Sequence, residues 1–287
     1  IYANTATETG GGLRIYATDA IDAAATIGST GFQPLAAIEG NTAAVGGGAA
    51  LFGNNGANAL LLLEGASASA PVVVRENFAS QRSGAIDLQP TAGSVITVGG
   101  GARADLENSV LEGNAAPTAA AVYADTEFGG GFFRSGALTL KSSRIADHVS
   151  QTSANVPTDG PIIVLTERAV FSTVDSILAG NNGGPLVLAD SASAIRISDA
   201  LVTGNTARGG LFRFLGQVQI SGEFQIDGTT IVGNTISNGP VILADDDLPL
   251  GNSIIWQPGS VTLQGDSRLV DDVLSSEIAS LGSSPSI

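Results

Sequence analysis

The chain has 287 residues and carries 12 basic against 27 acidic side chains, a net charge of −15, with no Cys and no Met. That balance repels a phosphate backbone and an anionic lipid surface, so neither nucleic acid nor direct membrane insertion is an expected partner. The missing Cys removes disulfides, thiolate nucleophiles and zinc–thiolate sites, and no apolar run approaches the roughly 18 residues of a membrane helix.

Apolar residues make up 43% of the chain but aromatics only 5% and charged residues 14%, and Gly occurs 38 times. This is a chain of small side chains and tight turns, short of the Lys and Glu that cover exposed helices. Taken in order, one unit recurs. Ile1-Tyr2-Ala3-Asn4-Thr5 precedes Gly10-Gly11-Gly12, and Ala37-Ile38-Glu39-Gly40-Asn41-Thr42 precedes Gly46-Gly47-Gly48. Val73-Val74-Arg75-Glu76-Asn77 and Val110-Leu111-Glu112-Gly113-Asn114 follow, with Ser83-Gly84 and Ala119-Ala120-Ala121 in the second slot. A degenerate unit puts Asp147-His148 where Gly-Asn is expected. Leu178-Ala179-Gly180-Asn181, Val202-Thr203-Gly204-Asn205 and Ile231-Val232-Gly233-Asn234 complete the series, and Asn252-Ser253-Ile254-Ile255-Trp256 is its last recognisable member.

From Asn4 through Asn41, Asn77, Asn114, His148, Asn181 and Asn205 to Asn234 the steps are 37, 36, 37, 34, 33, 24 and 29 residues. A period in that range signals a repeat architecture. The apolar pieces are three to five residues long, rich in Val, Ile and Leu and bounded by Gly, Asn, Pro or Ser, and none sustains a helical pattern. Each unit therefore reads as two or three short strands that bury an apolar face only by stacking on neighbouring units. The fold expected is all-β, a single-stranded parallel β-helix of about eight or nine rungs and about 40 Å long at the usual strand spacing. Residues 1–287 form one such domain in this reading.

The repeated Asn marks a corner. An amide both donates and accepts, so Asn4, Asn41, Asn77, Asn114, Asn181, Asn205 and Asn234 are expected to stack as an inter-rung ladder, with Asn itself tolerating the left-handed backbone there. The other reading is that these Asn line a ligand groove.

Gly-Asn-Thr-Ala followed by Gly-Gly and an apolar run resembles the repeat of polymorphic outer-membrane-protein passengers and other right-handed β-helix repeats of bacterial secreted surface proteins. The closing section Leu269-Val270-Asp271-Asp272 to Ser284-Pro285-Ser286-Ile287 is similar to the end of many such proteins. The resemblance implies a right-handed helix and an extracellular or cell-surface location. Both ends read as cut within a unit, so a longer native polypeptide is expected. Asp271–Leu281, within a candidate C-terminal cap over residues 266–287, has one helical pattern, and the Ala-rich Thr18–Thr26 has another.

Three places are candidates for chemistry. His148 is the only His and has Asp147 beside it, a conceivable base, although a lone His in a repeat slot is more often a substitution. Asp245-Asp246-Asp247 offers carboxylate oxygens that suit Ca²⁺, without EF-hand or calcium β-roll spacing; otherwise no cofactor is expected. Asp125 and Glu127 lie near Phe128, Phe132 and Phe133 in a Gly-rich insertion, the best candidate for a carbohydrate groove, with the bland alternative of an insertion tucked against the solenoid. The expectation is a non-enzymatic extracellular structural or adhesive protein that binds itself or a cell-surface carbohydrate or protein, and a self-assembling filament subunit is one form of it. The alternative is a carbohydrate-active β-helix lyase or hydrolase, which needs carboxylates across a groove.

Overall fold

A computed structural model describes residues 1–18, 21–28, 37–54, 57–91, 102–129, 132–166, 169–190, 194–215, 224–256, 261–269, 274–275 and 278–281. Every regular element among them is a β-strand. The strands fall into a nine-stranded, a seven-stranded and an eighteen-stranded sheet. The chain visits them cyclically. Leu201–Thr203 lies in the first, Thr206–Arg208 in the second, and Phe212–Leu215 and Phe224–Asp227 in the third, before Thr230–Val232 returns to the first. The result is a parallel, solenoid-like stack.

Register explains why the sequence repeats as it does. Successive strands of the nine-stranded sheet pair in parallel with equivalent residues level, so Ile38, Val74, Leu111, Ile145, Leu178, Val202, Ile231 and Ile255 form one continuous column. All eight are buried. A single rung could not shield any of them, whereas stacking contributes about 1.5–3 kcal/mol for each fully buried aliphatic side chain. The eighteen-stranded sheet holds two such stacks side by side. One runs through Leu13–Ala17, Ala49–Asn54, Ile86–Thr91, Val122–Ala124 and Ile163–Leu165. The other runs through Ala23–Gly28, Ala59–Glu64, Ala102–Glu107 and Phe132–Lys141.

The corner from the nine- to the seven-stranded sheet is always two residues long: Gly40-Asn41, Glu76-Asn77, Gly113-Asn114, Asp147-His148, Gly180-Asn181, Gly204-Asn205 and Gly233-Asn234. The first of each pair is left-handed, with φ from +54° to +67°, and the second is not. This corrects the assignment of the left-handed backbone to the Asn. Gly supplies the positive φ without steric penalty, and the second residue is left to turn its side chain along the stack. The Gly-Gly slot has a different cause: a Cβ on Gly48 would lie 2.6 Å from the carbonyl oxygen of Ala85 on the next rung.

Both helical expectations are overturned. Ala23–Gly28 is a strand paired with Ala59–Glu64, and Thr18 and Ile21 are joined by an isolated antiparallel bridge. Within Asp271–Leu281, Leu274–Ser275 and Ile278–Leu281 extend the sheets beside Ile254–Trp256 and Val261–Leu269. An adjacent parallel edge satisfies backbone groups of the paired residues, whereas a helix this short is marginal even when rich in Ala.

Candidate functional site

The corner Asn residues are brought together as a ladder. The Nδ2 of Asn4 donates to Asn41 Oδ1 at 3.0 Å, Asn41 to Asn77 at 2.9 Å, Asn77 to Asn114 at 2.8 Å, Asn181 to Asn205 at 2.8 Å and Asn205 to Asn234 at 2.8 Å. Each acceptor oxygen also takes the backbone N–H of the same neighbour, at 2.9–3.0 Å. The second amide hydrogen reaches a strand carbonyl of the preceding rung, as from Asn205 to Leu178 at 3.0 Å. These amides are therefore committed to the solenoid, and all but Asn4 are buried.

His148 occupies the same slot and reproduces both roles. The backbone N–H of Asn114 donates to Nδ1 at 3.2 Å, which fixes Nε2 as the protonated nitrogen, and Nε2 lies 3.1 Å from the carbonyl of Leu111. The backbone N–H of His148 donates to Asn181 Oδ1 at 3.1 Å, so the ladder continues past it. Burial pushes the imidazole pKa down to about 4. A neutral ring with both nitrogens engaged behind the sheet surface is no base for an external substrate.

A second ladder escaped the sequence reading. At the return corner into the nine-stranded sheet, Asn108-Ser109, Ser142-Ser143, Asp175-Ser176, Asp199-Ala200, Gly228-Thr229 and Asn252-Ser253 repeat the device, a left-handed residue followed by a small side chain turned along the stack. The N–H of Ser109 donates to Ser143 Oγ at 3.1 Å, Ser143 to Ser176 at 3.2 Å and Thr229 to Ser253 at 3.1 Å. Ser109, Ser143, Ser176 and Thr229 stand five residues before Asn114, His148, Asn181 and Asn234, and that fixed offset was a usable signal. Ala200 interrupts the ladder, and a shallow cavity of about 460 Å³ opens there beside Asp175, Ser176, Asp199 and Gly228.

The carbohydrate candidates divide. Thr126–Gly129 pairs antiparallel with the start of Phe132–Lys141, setting Glu127 opposite Arg134 and Phe128 opposite Phe133. The side chains of Glu127, Phe128, Phe132 and Phe133 lie outside the described residues. Asp125, at the root of this hairpin, accepts a hydrogen bond from the Thr166 hydroxyl. Asp245, Asp246 and Asp247 lie within the long strand Ile242–Gly251 rather than in a loop, where the pairing register with Val261–Leu269 shifts between Ala244 and Leu248. Asp245 is exposed, the side chains of Asp246 and Asp247 lie outside the described residues, and no metal-binding group of three or more His, Asp or Glu occurs among the described residues.

The outer face of the first stack of the eighteen-stranded sheet carries a cluster that sequence reasoning missed. Asp87 is fully buried there, level with Ala50 on one side and Tyr123 on the other. Arg82 Nε donates to its Oδ2 at 3.0 Å, the amide of Gln89 bonds its Oδ1, and the Arg82 guanidinium lies 4.2 Å from the centre of the Tyr123 ring. Burial pushes the Asp87 pKa up to about 7 against the opposing pull of Arg82. Burial and the charge of Asp125 raise that of Tyr123. One and two rungs away, Phe52 and Tyr16 pack as tilted rings 6.2 Å apart under Arg14, whose guanidinium lies 5.2 Å and 5.6 Å from their centres. No family model, no curated protein and no solved structure matches the chain.

Proposed function

We propose that this chain is a right-handed parallel β-helix of the kind seen in polymorphic outer-membrane-protein passengers, acting outside the cell or on its surface as a non-enzymatic structural and adhesive rod. The observation that carries this reading is the fate of the recurring polar residues. The Asn series and His148 are consumed in inter-rung hydrogen bonds, so what repeats builds the rod. Chain length differs between rungs at the links that join the two stacks of the eighteen-stranded sheet, with ten residues between Thr91 and Ala102 and three between Asp190 and Ala194. A rod with one variable flank suits display of a binding surface. The purified chain is tested by incubation with a panel of extracellular polysaccharides and matrix proteins, followed by assay of retention and of new reducing or unsaturated sugar ends. Retention without cleavage supports the reading, and cleavage of any bound polysaccharide overturns it. Light scattering across a concentration series decides whether the rods associate end to end.

A carbohydrate-active reading rests on one observation, the partly exposed Asp125 at the root of the hairpin that also carries Glu127. Asp87 on the neighbouring rung is fully buried, with its oxygens bonded by Arg82 and Gln89, and meets no external substrate. Cleavage that survives in Asp125→Ala/Glu127→Ala removes that pair from consideration.

A further inference from the structure

We propose that the outer face formed by Leu13–Ala17, Ala49–Asn54, Ile86–Thr91 and Val122–Ala124 binds an anionic oligosaccharide, with Arg14 and Arg82 gripping its acidic groups against Tyr16, Phe52 and Tyr123. The inference rests on the adhesive reading and supplies the ligand class. In a chain with only 12 basic residues, ten Phe, three Tyr and one Trp, two Arg and three aromatic rings meet on one flank of neighbouring rungs.

Both guanidinium groups are seated over aromatic rings. Arg14 lies over Tyr16 and Phe52, and Arg82 over Tyr123 with its Nε fixed by buried Asp87. Cation–π contact of this kind positions a guanidinium without consuming its N–H donors. Among the described residues Arg14 makes no ion pair, and Arg82 engages a carboxylate only through Nε. The open edges match the paired oxygens of a carboxylate or sulfate. Arg14, Ala50 and Asp87 are level on successive strands, so the two cationic groups stand about two rungs apart, roughly 10 Å along the axis at the usual strand spacing.

The backbone bears on the choice between a sugar chain and a peptide. Between the two Arg the strands Ala49–Asn54 and Ile86–Thr91 have parallel partners on both sides, so a ligand there is held by side chains and not by strand addition. Among the described strands Leu13–Ala17 pairs only with Ala49–Asn54, so a peptide adding to its outer edge is the competitor that the oligoglutamate arm tests. The half-exposed ring of Tyr16 offers dispersion contact to the C–H face of a sugar ring, and the guanidinium groups take its acidic substituents. Asp87, faced by Arg82, Gln89, Tyr123 and Asp125, has its pKa raised to about 7, so on the acid side of neutrality the charge of Arg82 is left to the ligand.

The test is calorimetric titration at pH 6.5 with tri- to hexagalacturonate and with a sulfated tetrasaccharide, against fully methyl-esterified oligogalacturonate and oligoglutamate of matched length. Binding of one or both anionic sugars and not of the ester is expected, and the two arms identify the acidic group. Arg14→Gln is expected to weaken that binding about tenfold, the loss of one charge-assisted contact, with an unchanged melting temperature because Arg14 is exposed. Arg82→Lys retains a cation for Asp87 and loses the planar fork, and it should weaken binding similarly. Failure of both anionic sugars to bind, or binding indifferent to both substitutions, overturns the assignment. Equal, Arg14-dependent binding of oligoglutamate overturns the saccharide class. Retention of some other extracellular ligand in the panel assay leaves the adhesive reading standing while this one falls.

Discussion

Replacing His148 by Asn separates the two buried titrating groups of the solenoid. Asn at that position restores the ladder residue found on the flanking rungs, with an amide oxygen for the N–H of Asn114 and an amide hydrogen for the carbonyl of Leu111, both now served by the imidazole. The variant therefore folds, and its stability relative to the wild type isolates what protonation of His148 does. The folded pKa of His148 is lowered to about 4 from an ordinary 6.5. The unfolded chain binds that proton first as pH falls. The contribution of neutral His148 is thus fully present above about 6.5, is lost as pH drops toward about 4, and changes no further below that. A difference of about 2.5 pKa units corresponds to about 3 kcal/mol. Asp87 acts in the opposite sense. Its folded pKa is raised to about 7 from 3.8, so its contribution is complete below 3.8 and is lost as pH rises through about 7, about 4 kcal/mol in all.

Across pH 4 to 7 these two contributions oppose each other, so in the wild type they largely cancel. Urea unfolding of wild type, His148→Asn, Asp87→Asn and the double variant at pH 4, 5, 6, 7 and 8 resolves them, because the exposed carboxylates are common to all four chains and drop out of the differences. His148→Asn is expected to gain about 3 kcal/mol on the wild type between pH 7 and pH 4, and Asp87→Asn to gain about 4 kcal/mol between pH 4 and pH 8. A His148→Asn curve that runs parallel to the wild type over this range refutes the assignment of His148 as a buried, neutral ladder residue.

Asn205→Ala removes an oxygen that receives Asn181 and two donations toward Leu178 and Asn234, leaving buried backbone groups unpaired. A loss of about 3–5 kcal/mol is expected by denaturant unfolding. Ala200→Ser fills the gap in the hydroxyl ladder, with its Oγ placed to receive the N–H of Ser176 and to donate two residues back, as Ser143 and Ser176 do to Lys141 and Val174. It should gain about 1 kcal/mol and raise the melting temperature. Thr173 is buried in a column between Leu140 and Ile197 with its hydroxyl unpaired. Thr173→Val keeps the shape, removes that group and should stabilise by about 1–2 kcal/mol by the same measure.

The strand content and the Asn corners were legible because each rests on a local signal. Short Val-, Ile- and Leu-rich runs bounded by turn residues mark the strands, and Gly-Asn marks a turn that must serve a neighbour as well as itself. The hydroxyl ladder was harder to read, since Ser and Thr fill ordinary turns too and the series breaks at Ala200. Asp87 was invisible for a different reason. Its position reads as an outward strand residue, and its burial is made by Arg82 from across a corner and by Tyr123 one rung on, groups that only the stack brings together. The Ala-rich Thr18–Thr26 misled because helix propensity is a weak preference beside an open parallel edge.

The two ladders together define which parts of a rung can change. From Asp175 to Asn181 the chain is tied to neighbouring rungs at both ends by side chains that receive backbone N–H groups, and the strand Ile177–Ala179 between them alternates faces with Leu178 inward. One residue inserted there displaces Asn181 from its partners and turns the inward face of the strand outward, and neither loss is recoverable by relaxation. The link from Asp190 to Ala194 belongs to a connection whose length varies from rung to rung, three residues here against ten between Thr91 and Ala102, and two added residues cost only the slowly growing closure entropy of a longer connection, about 0.6 kcal/mol even if its length doubles. Insertion of Ala between Leu178 and Ala179 should therefore abolish cooperative unfolding, while insertion of Gly-Ser between Asp190 and Ala194 should leave the urea midpoint nearly unchanged. Equal damage from the two insertions would show that the rungs are not held by their corners, and the division between a fixed frame and a variable flank would fail with it.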